Sequence, residues 1–213
     1  MAKKKLQRFA ELDTFTNTFQ FPTSIKGTWH RDVFKNNHPI VLELGCGKGE
    51  YTIGQATRFP DKNFIGTDIK GNRIWRGAKT GLDEGLNNVA FLRTRIEQIA
   101  EYFEPGEVSE IWITFPDPQP NKPKIKKRLT SSQFTERYRQ FLHPQGTINL
   151  KTDSRLLYDF TLEVIGEKKL KLLTHTDDLY NSSLLDEVLN IQTYYEGLFR
   201  AKGMPIHYVK YSF

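Results

Sequence analysis

From Pro39 onward the chain alternates short β-rich apolar runs with helical stretches, and nothing else in the sequence limits the fold as strongly. Ile40–Gly45 reads as a strand and Glu50–Phe59 as a helix. Asn63–Ile69 and Ile74–Glu84 repeat the pair, and Val89–Thr94 with Ile96–Phe103 repeats it again. Ser109–Phe115 is a fourth strand stopped by Pro116. Ser131–Leu142 is an amphipathic helix with Phe134, Tyr138, Phe141 and Leu142 at helical spacing. Thr147–Lys151 is a fifth strand and Arg155–Ile165 a helix. Leu170–His175 and Ile206–Phe213 read as two last strands around a short helix from Thr193 to Ala201. The expectation is an α/β, doubly wound fold: a seven-stranded, mostly parallel sheet with helices on both faces. Such sheets bind ligands at the carboxyl ends of their strands, where the strand order reverses. The loops after Gly45, Asp68, Phe115 and Lys151 are therefore expected to converge on one cleft.

Residues 1–30 lack a period and mix charge with Phe15, Phe19, Phe21 and Trp29. They read as a basic arm, loosely docked or flexible, ahead of a single domain at 31–213. The chain of 213 residues is long enough to bury a core without disulfide staples. Cys46 is the only cysteine, so neither an intramolecular disulfide nor a cysteine-based metal site can form, and a reducing compartment is expected. The residues after the basic start (Lys3, Lys4, Lys5, Arg8) form no apolar run of the kind a secretory signal needs, and no stretch approaches the roughly 20 apolar residues of a membrane span. A cytoplasmic protein without a membrane partner is expected. The formal charge of +6 favours a polyanion such as nucleic acid.

Glu43-Leu44-Gly45-Cys46-Gly47-Lys48-Gly49 lies where the first strand turns into the first helix. Glycines there let the backbone approach a ligand without Cβ atoms in the way. Asp68 ends the second strand, where a carboxylate suits the hydroxyl pair of a ribose; the alternative is an ordinary strand–helix turn with a solvated aspartate. A nicotinamide cofactor is disfavoured because Glu43 beside the turn repels a pyrophosphate and attracts an ammonium or sulfonium.

After the fourth strand, Phe115-Pro116-Asp117-Pro118 holds a carboxylate between two prolines that restrict the backbone. A basic run follows, Lys122, Lys124, Lys126, Lys127 and Arg128, suited to phosphates. Asp153 after the fifth strand either caps the next helix or serves the cleft. Thr193-Tyr194-Tyr195-Glu196 has the form of a capping box.

Taken in order, these segments resemble the bacterial tRNA guanine-N7 methyltransferases, Rossmann-like class I enzymes, over nearly the whole chain from about Trp29 to Phe213. The elements that carry the resemblance are the Glu43 glycine loop, Phe115-Pro116-Asp117-Pro118 with its tail through Lys127-Arg128-Leu129, Lys151-Thr152-Asp153, and Thr193 with Glu196 ahead of Phe199 and Gly203. The resemblance implies methyl transfer from S-adenosylmethionine to N7 of a guanine in the variable loop of tRNA. It implies that Glu43, Gly45, Gly47, Gly49, Asp68 and Arg95 bind the cofactor and that Asp117 lies at the catalytic centre. It further implies that Asn121, Lys122, Lys126, Lys127, Arg128, Asp153, Thr193 and Glu196 meet the substrate. No metal is implied, and a monomer and a homodimer are both compatible. Three positions depart from the family pattern: Gln119 replaces a tryptophan, Asn121 a lysine and Arg95 an acidic residue. The competing readings are a methyltransferase of the same fold with another substrate, and a non-catalytic RNA-binding protein.

Overall fold

The computed structural model describes residues 2–213, with side chains from Leu6 onward. The side chains of Lys3, Lys4 and Lys5, part of the basic start, lie outside the described residues. Eight strands form one sheet: β1 (Thr18–Gln20), β2 (Ile40–Leu44), β3 (Asn63–Asp68), β4 (Val89–Arg93), β5 (Val108–Thr114), β6 (Leu142–Thr152), β7 (Lys171–Thr176) and β8 (His207–Ser212). Their order is β1-β4-β3-β2-β5-β6-β8-β7. All neighbours are parallel except β8, which runs antiparallel between β6 and β7. The helices are α1 (Ala2–Leu12), α2 (Glu50–Arg58), α3 (Gly71–Asp83), α4 (Ser132–Tyr138), α5 (Arg155–Glu167) and α6 (Tyr194–Ala201).

Alternation along the central strands fills two apolar layers. Ile40, Leu42, Leu44, Ile111 and Ile113 point to one face, where they meet Trp29, Phe103, Tyr138 and Leu157. Val41, Phe64 and Trp112 point to the other, against Leu12, Tyr51, Ile74 and Ala78. With both faces covered, β2 and β3 are buried along their whole length, which is why they read as nearly continuous apolar runs.

The eighth strand is β1, from the segment expected to be an arm. It pairs with β4 at the sheet edge, and Trp29 is buried with its indole N–H donating to the Tyr102 carbonyl at 2.9 Å. Of the scattered aromatic residues, Trp29 is a core anchor, Phe15 and Phe19 pack partly buried against the core, and Phe21 stays exposed. The amphipathic helix expected to reach Leu142 ends at Tyr138. The Phe141 carbonyl accepts from Val108 N at 3.2 Å, so the chain has already joined β5 when Leu142 begins β6. Ile96–Glu101 forms a 3-10 turn within the stretch expected to be an α-helix.

Candidate active site

The registers align the strand ends that carry the chemistry. Leu44 lies opposite both Thr67 and Ile113, Asp68 opposite Arg93, and Thr114 opposite Lys151. Gly45, Asp68, Arg93, Thr114 and Lys151 therefore lie in one row at the carboxyl ends of the strands. Between β2 and β5 the order reverses, since β3 and β4 lie on one side and β5 and β6 on the other. This is the switch point at which open α/β sheets form a crevice.

The glycine loop opens that crevice. Gly45, Gly47 and Gly49 have φ of 75°, 58° and 75°, a region that penalises other residues. At Gly49 a side chain is also excluded by contact: a Cβ would lie 2.6 Å from the Phe91 ring. Asp68, 8% exposed, accepts from Gly47 N at 3.1 Å through one oxygen and from Lys70 N at 2.8 Å through the other. Each oxygen keeps a free acceptor site, so the carboxylate braces the loop and still faces the cleft.

Glu43 sits beneath the loop, 2% exposed. Its carboxyl accepts from the Thr52 hydroxyl on α2 and from Thr114 Oγ1 on β5 at 2.5 Å. Burial pushes its pKa up to about 7, against the pull of the two hydroxyls. The geometry makes Glu43 a bolt joining β2, α2 and β5. Neither threonine stood out in the sequence, because a hydroxyl partner is recognisable only once the strands are adjacent.

The cleft has two lobes that meet at the Asp68–Gly47 contact. One is lined by Gly45–Lys48, Arg73, Thr114, Phe115 and Thr193–Tyr195. The other, of about 350 Å³, is lined by Asp68, Ile69, Thr94–Glu97, Lys127, Leu129 and Phe134. Arg95 and Lys127 thus share a lobe with Asp68. Arg73, Tyr194 and Tyr195 also line the Gly45–Lys48 lobe without having stood out in the sequence, since no motif contains Arg73 and the tyrosines figured only as the interior of a capping box.

The loop after β5 turns sharply. Phe115 and Gln119 have φ of 48° and 44°, both outside the comfortable range of non-glycine residues. Asp117, between them, is exposed and lines neither lobe, and one of its oxygens accepts from Gln119 N at 3.0 Å. Asn121 and Lys122, Lys124, Lys126 and Lys127 face solvent on a 3-10 turn. Arg128 does not join them, contrary to its expected place in an outward phosphate-binding run. It is 5% exposed, donates to the carbonyls of Pro118 at 3.0 Å and Gln119 at 3.2 Å, and lies 4.4 Å from the Phe160 ring centroid. It clamps the Asp117 loop from behind.

Asp153 is partly buried after β6, and burial pushes its carboxyl above the ordinary range while nearby His207 opposes the shift. The cap of α5 is Ser154, whose hydroxyl accepts from Leu157 N, so capping is not Asp153's role. Thr193 and Glu196 form the capping box of α6. Glu196, expected to meet substrate, is fully buried in this structure. It pairs with Lys151 Nζ at 2.7 Å and accepts from Tyr180 OH at 2.8 Å. Lys151 also donates to the carbonyls of Leu189 and Ile191.

A parallel sheet with one antiparallel strand near its edge, a glycine cradle after β2 and an aspartate ending β3 define the class: a Rossmann-like methyltransferase. Solved structures of that class share the fold. A 16S rRNA methyltransferase, KamB, superposes with a TM-score of 0.67 at 13% identity, covering 89% of this chain and 94% of that one. The geranyl diphosphate C-methyltransferase of Streptomyces coelicolor superposes with a TM-score of 0.54 at 12% identity, covering 99% and 84%. The family described as "Putative methyltransferase" matches residues 37–209. The tRNA (guanine-N(7)-)-methyltransferase of Bacteroides thetaiotaomicron is 51% identical over 99% of this chain and 86% of its own length. That of Bacillus subtilis is 38% identical over 87% and 85%. The chain belongs to the tRNA (guanine-N(7)-)-methyltransferase family.

Proposed function

We propose that this chain transfers a methyl group from S-adenosylmethionine to N7 of a guanine in tRNA. The observation that carries the reading is the meeting of the Gly45–Gly49 cradle, Asp68 and Phe115, where the Asp117 loop begins, along one row of strand ends. The guanine and the tRNA follow from the relatives. The reaction takes place in the cytoplasm, with the chain acting as a monomer or a homodimer.

The residues present fit the cofactor. Asp68 has acceptor capacity for ribose hydroxyls, and the lobe it shares with Thr94, Ile96 and Phe134 offers an apolar wall for a purine. The glycine backbone leaves room on the other side for the methionyl arm. When bound, the cofactor supplies an electrophilic sulfonium methyl. Guanine N7 has an exposed lone pair and no proton, so the protein needs no general base and works chiefly by positioning. Asp117 and Asp153, at the ends of adjacent strands, accept from the guanine N1–H and N2–H₂ donors; charge-assisted bonds of this kind contribute roughly 1.5–3 kcal/mol each. They also stabilise the cationic ring that forms on methylation. Adenine lacks this donor pair and is rejected.

The test is incubation with unmodified tRNA and labelled cofactor, followed by strand cleavage selective for N7-methylated guanine. Label at a single guanine is expected. Label in protein or small molecules but none in tRNA would overturn the substrate. Asp117→Ala is expected to lower turnover by about a hundredfold or more with tRNA affinity near the wild-type level; near-normal turnover would remove Asp117 from the chemistry.

A further inference from the structure

A groove of about 930 Å³ runs between α2 and α3, from the glycine loop toward α1. At Gly77, α3 meets the backbone of the glycine loop ahead of α2, and a Cβ there would lie 2.7 Å from the Lys48 carbonyl oxygen. Its walls carry Arg8, Lys48, Arg73 and Arg76, with Trp75 and Tyr195 between them. Arg8 lies 4.5 Å from the Trp75 ring centroid, and the Trp75 indole N–H is fixed by Glu11 at 2.7 Å, so α1 delivers its arginine to the groove in a set position.

Among the described residues, none of these four cations makes an ion pair. The one carboxylate in the lining, Glu50, accepts from Tyr194 N at 2.7 Å. Four unpaired like charges along one trough repel each other and create a field that attracts a polyanion. Tyr195, 51% exposed, offers a ring face of the kind on which unpaired bases stack. The groove is also continuous with the cleft, because Lys48, Arg73 and Tyr195 line both. A strand held in it runs toward the Gly45–Lys48 lobe.

We infer that the α2–α3 groove binds sugar-phosphate backbone of the RNA substrate, with Arg8 and Arg76 on phosphates and Tyr195 against a base. This track is distinct from the Lys122–Lys127 run across the cleft. The inference rests on the tRNA reading above.

Arg8 and Arg76 line the groove but not the cleft, so they separate the two. Affinity for unmodified tRNA is measured over a salt series for the wild type, Arg8→Ala/Arg76→Ala and Arg8→Lys/Arg76→Lys, with cofactor affinity by calorimetry alongside. The alanine pair is expected to lose about tenfold or more in tRNA affinity at low salt. Its log–log salt slope is expected to shrink by about 0.7–0.9 per contact removed. Cofactor affinity stays at the wild-type level and the lysine pair keeps the slope. Unchanged tRNA affinity and slope in the alanine pair would overturn the inference, as would an equal loss of cofactor affinity. Wild-type protein that neither binds nor methylates tRNA would instead refute the proposed substrate.

Discussion

Glu43 illustrates how far a single residue can be read. Its place before the glycine loop marks it in the sequence as part of a cofactor motif. Its partners do not appear there, because Thr52 and Thr114 are brought to it by α2 and β5. Its folded-state pKa, about 7, lies above the ordinary carboxylate value, so the folded state holds the proton more tightly than the unfolded chain. The stabilisation is complete below the unfolded value and is lost as the pH rises through about 7. Glu43→Gln cannot titrate and escapes that loss. Between pH 5 and 8 the wild type is expected to lose on the order of 2–3 kcal/mol relative to Glu43→Gln in urea unfolding. Parallel stability curves would show that Glu43 is already ionised in the fold.

At the scale of elements, the Asp117 loop divides into parts with different work. The prolines and the basic tail are visible in sequence, but Lys126 and Arg128, two residues apart, end on opposite sides of the loop. Composition assigns both to phosphate; only the fold turns Arg128 inward onto the Pro118 and Gln119 carbonyls. Arg128→Ala is expected to cost roughly 1.5–3 kcal/mol of stability and to lower turnover about tenfold by loosening Asp117. Lys126→Ala/Lys127→Ala should spare stability and reduce the salt dependence of tRNA binding. Identical effects of the two variants on the salt slope would mean that Arg128 reaches RNA after all. The capping box of α6 is the opposite case: Thr193 and Glu196 lie three residues apart on one chain, so local spacing is sufficient to identify it.

For the molecule as a whole, the Lys151–Glu196 pair ties the centre of the sheet to α6 and to the segment of Leu189 and Ile191. Burial lowers the Lys151 pKa while Glu196 opposes the shift, as expected of an ion pair withdrawn from water. Lys151→Met leaves a buried carboxylate unpaired and is expected to cost roughly 3–5 kcal/mol in chemical denaturation. Adding Glu196→Gln should restore more than half of that; no recovery would mean that the lysine acts through packing alone. The alternation of strands and helices, the glycine cradle, the acidic strand ends and the α6 cap are all legible along the chain, because each follows from periodicity or from spacing within one segment. The remainder arises on folding: Trp29 enters the core and β1 joins the sheet edge, Arg128 and Glu196 turn inward, and Arg8 and Arg76 come to line one groove. Those arrangements bring together residues from 9 (Arg128 and Gln119) to 73 (Trp29 and Tyr102) positions apart, and burial and charge pairing across such gaps exist only after the chain has closed on itself.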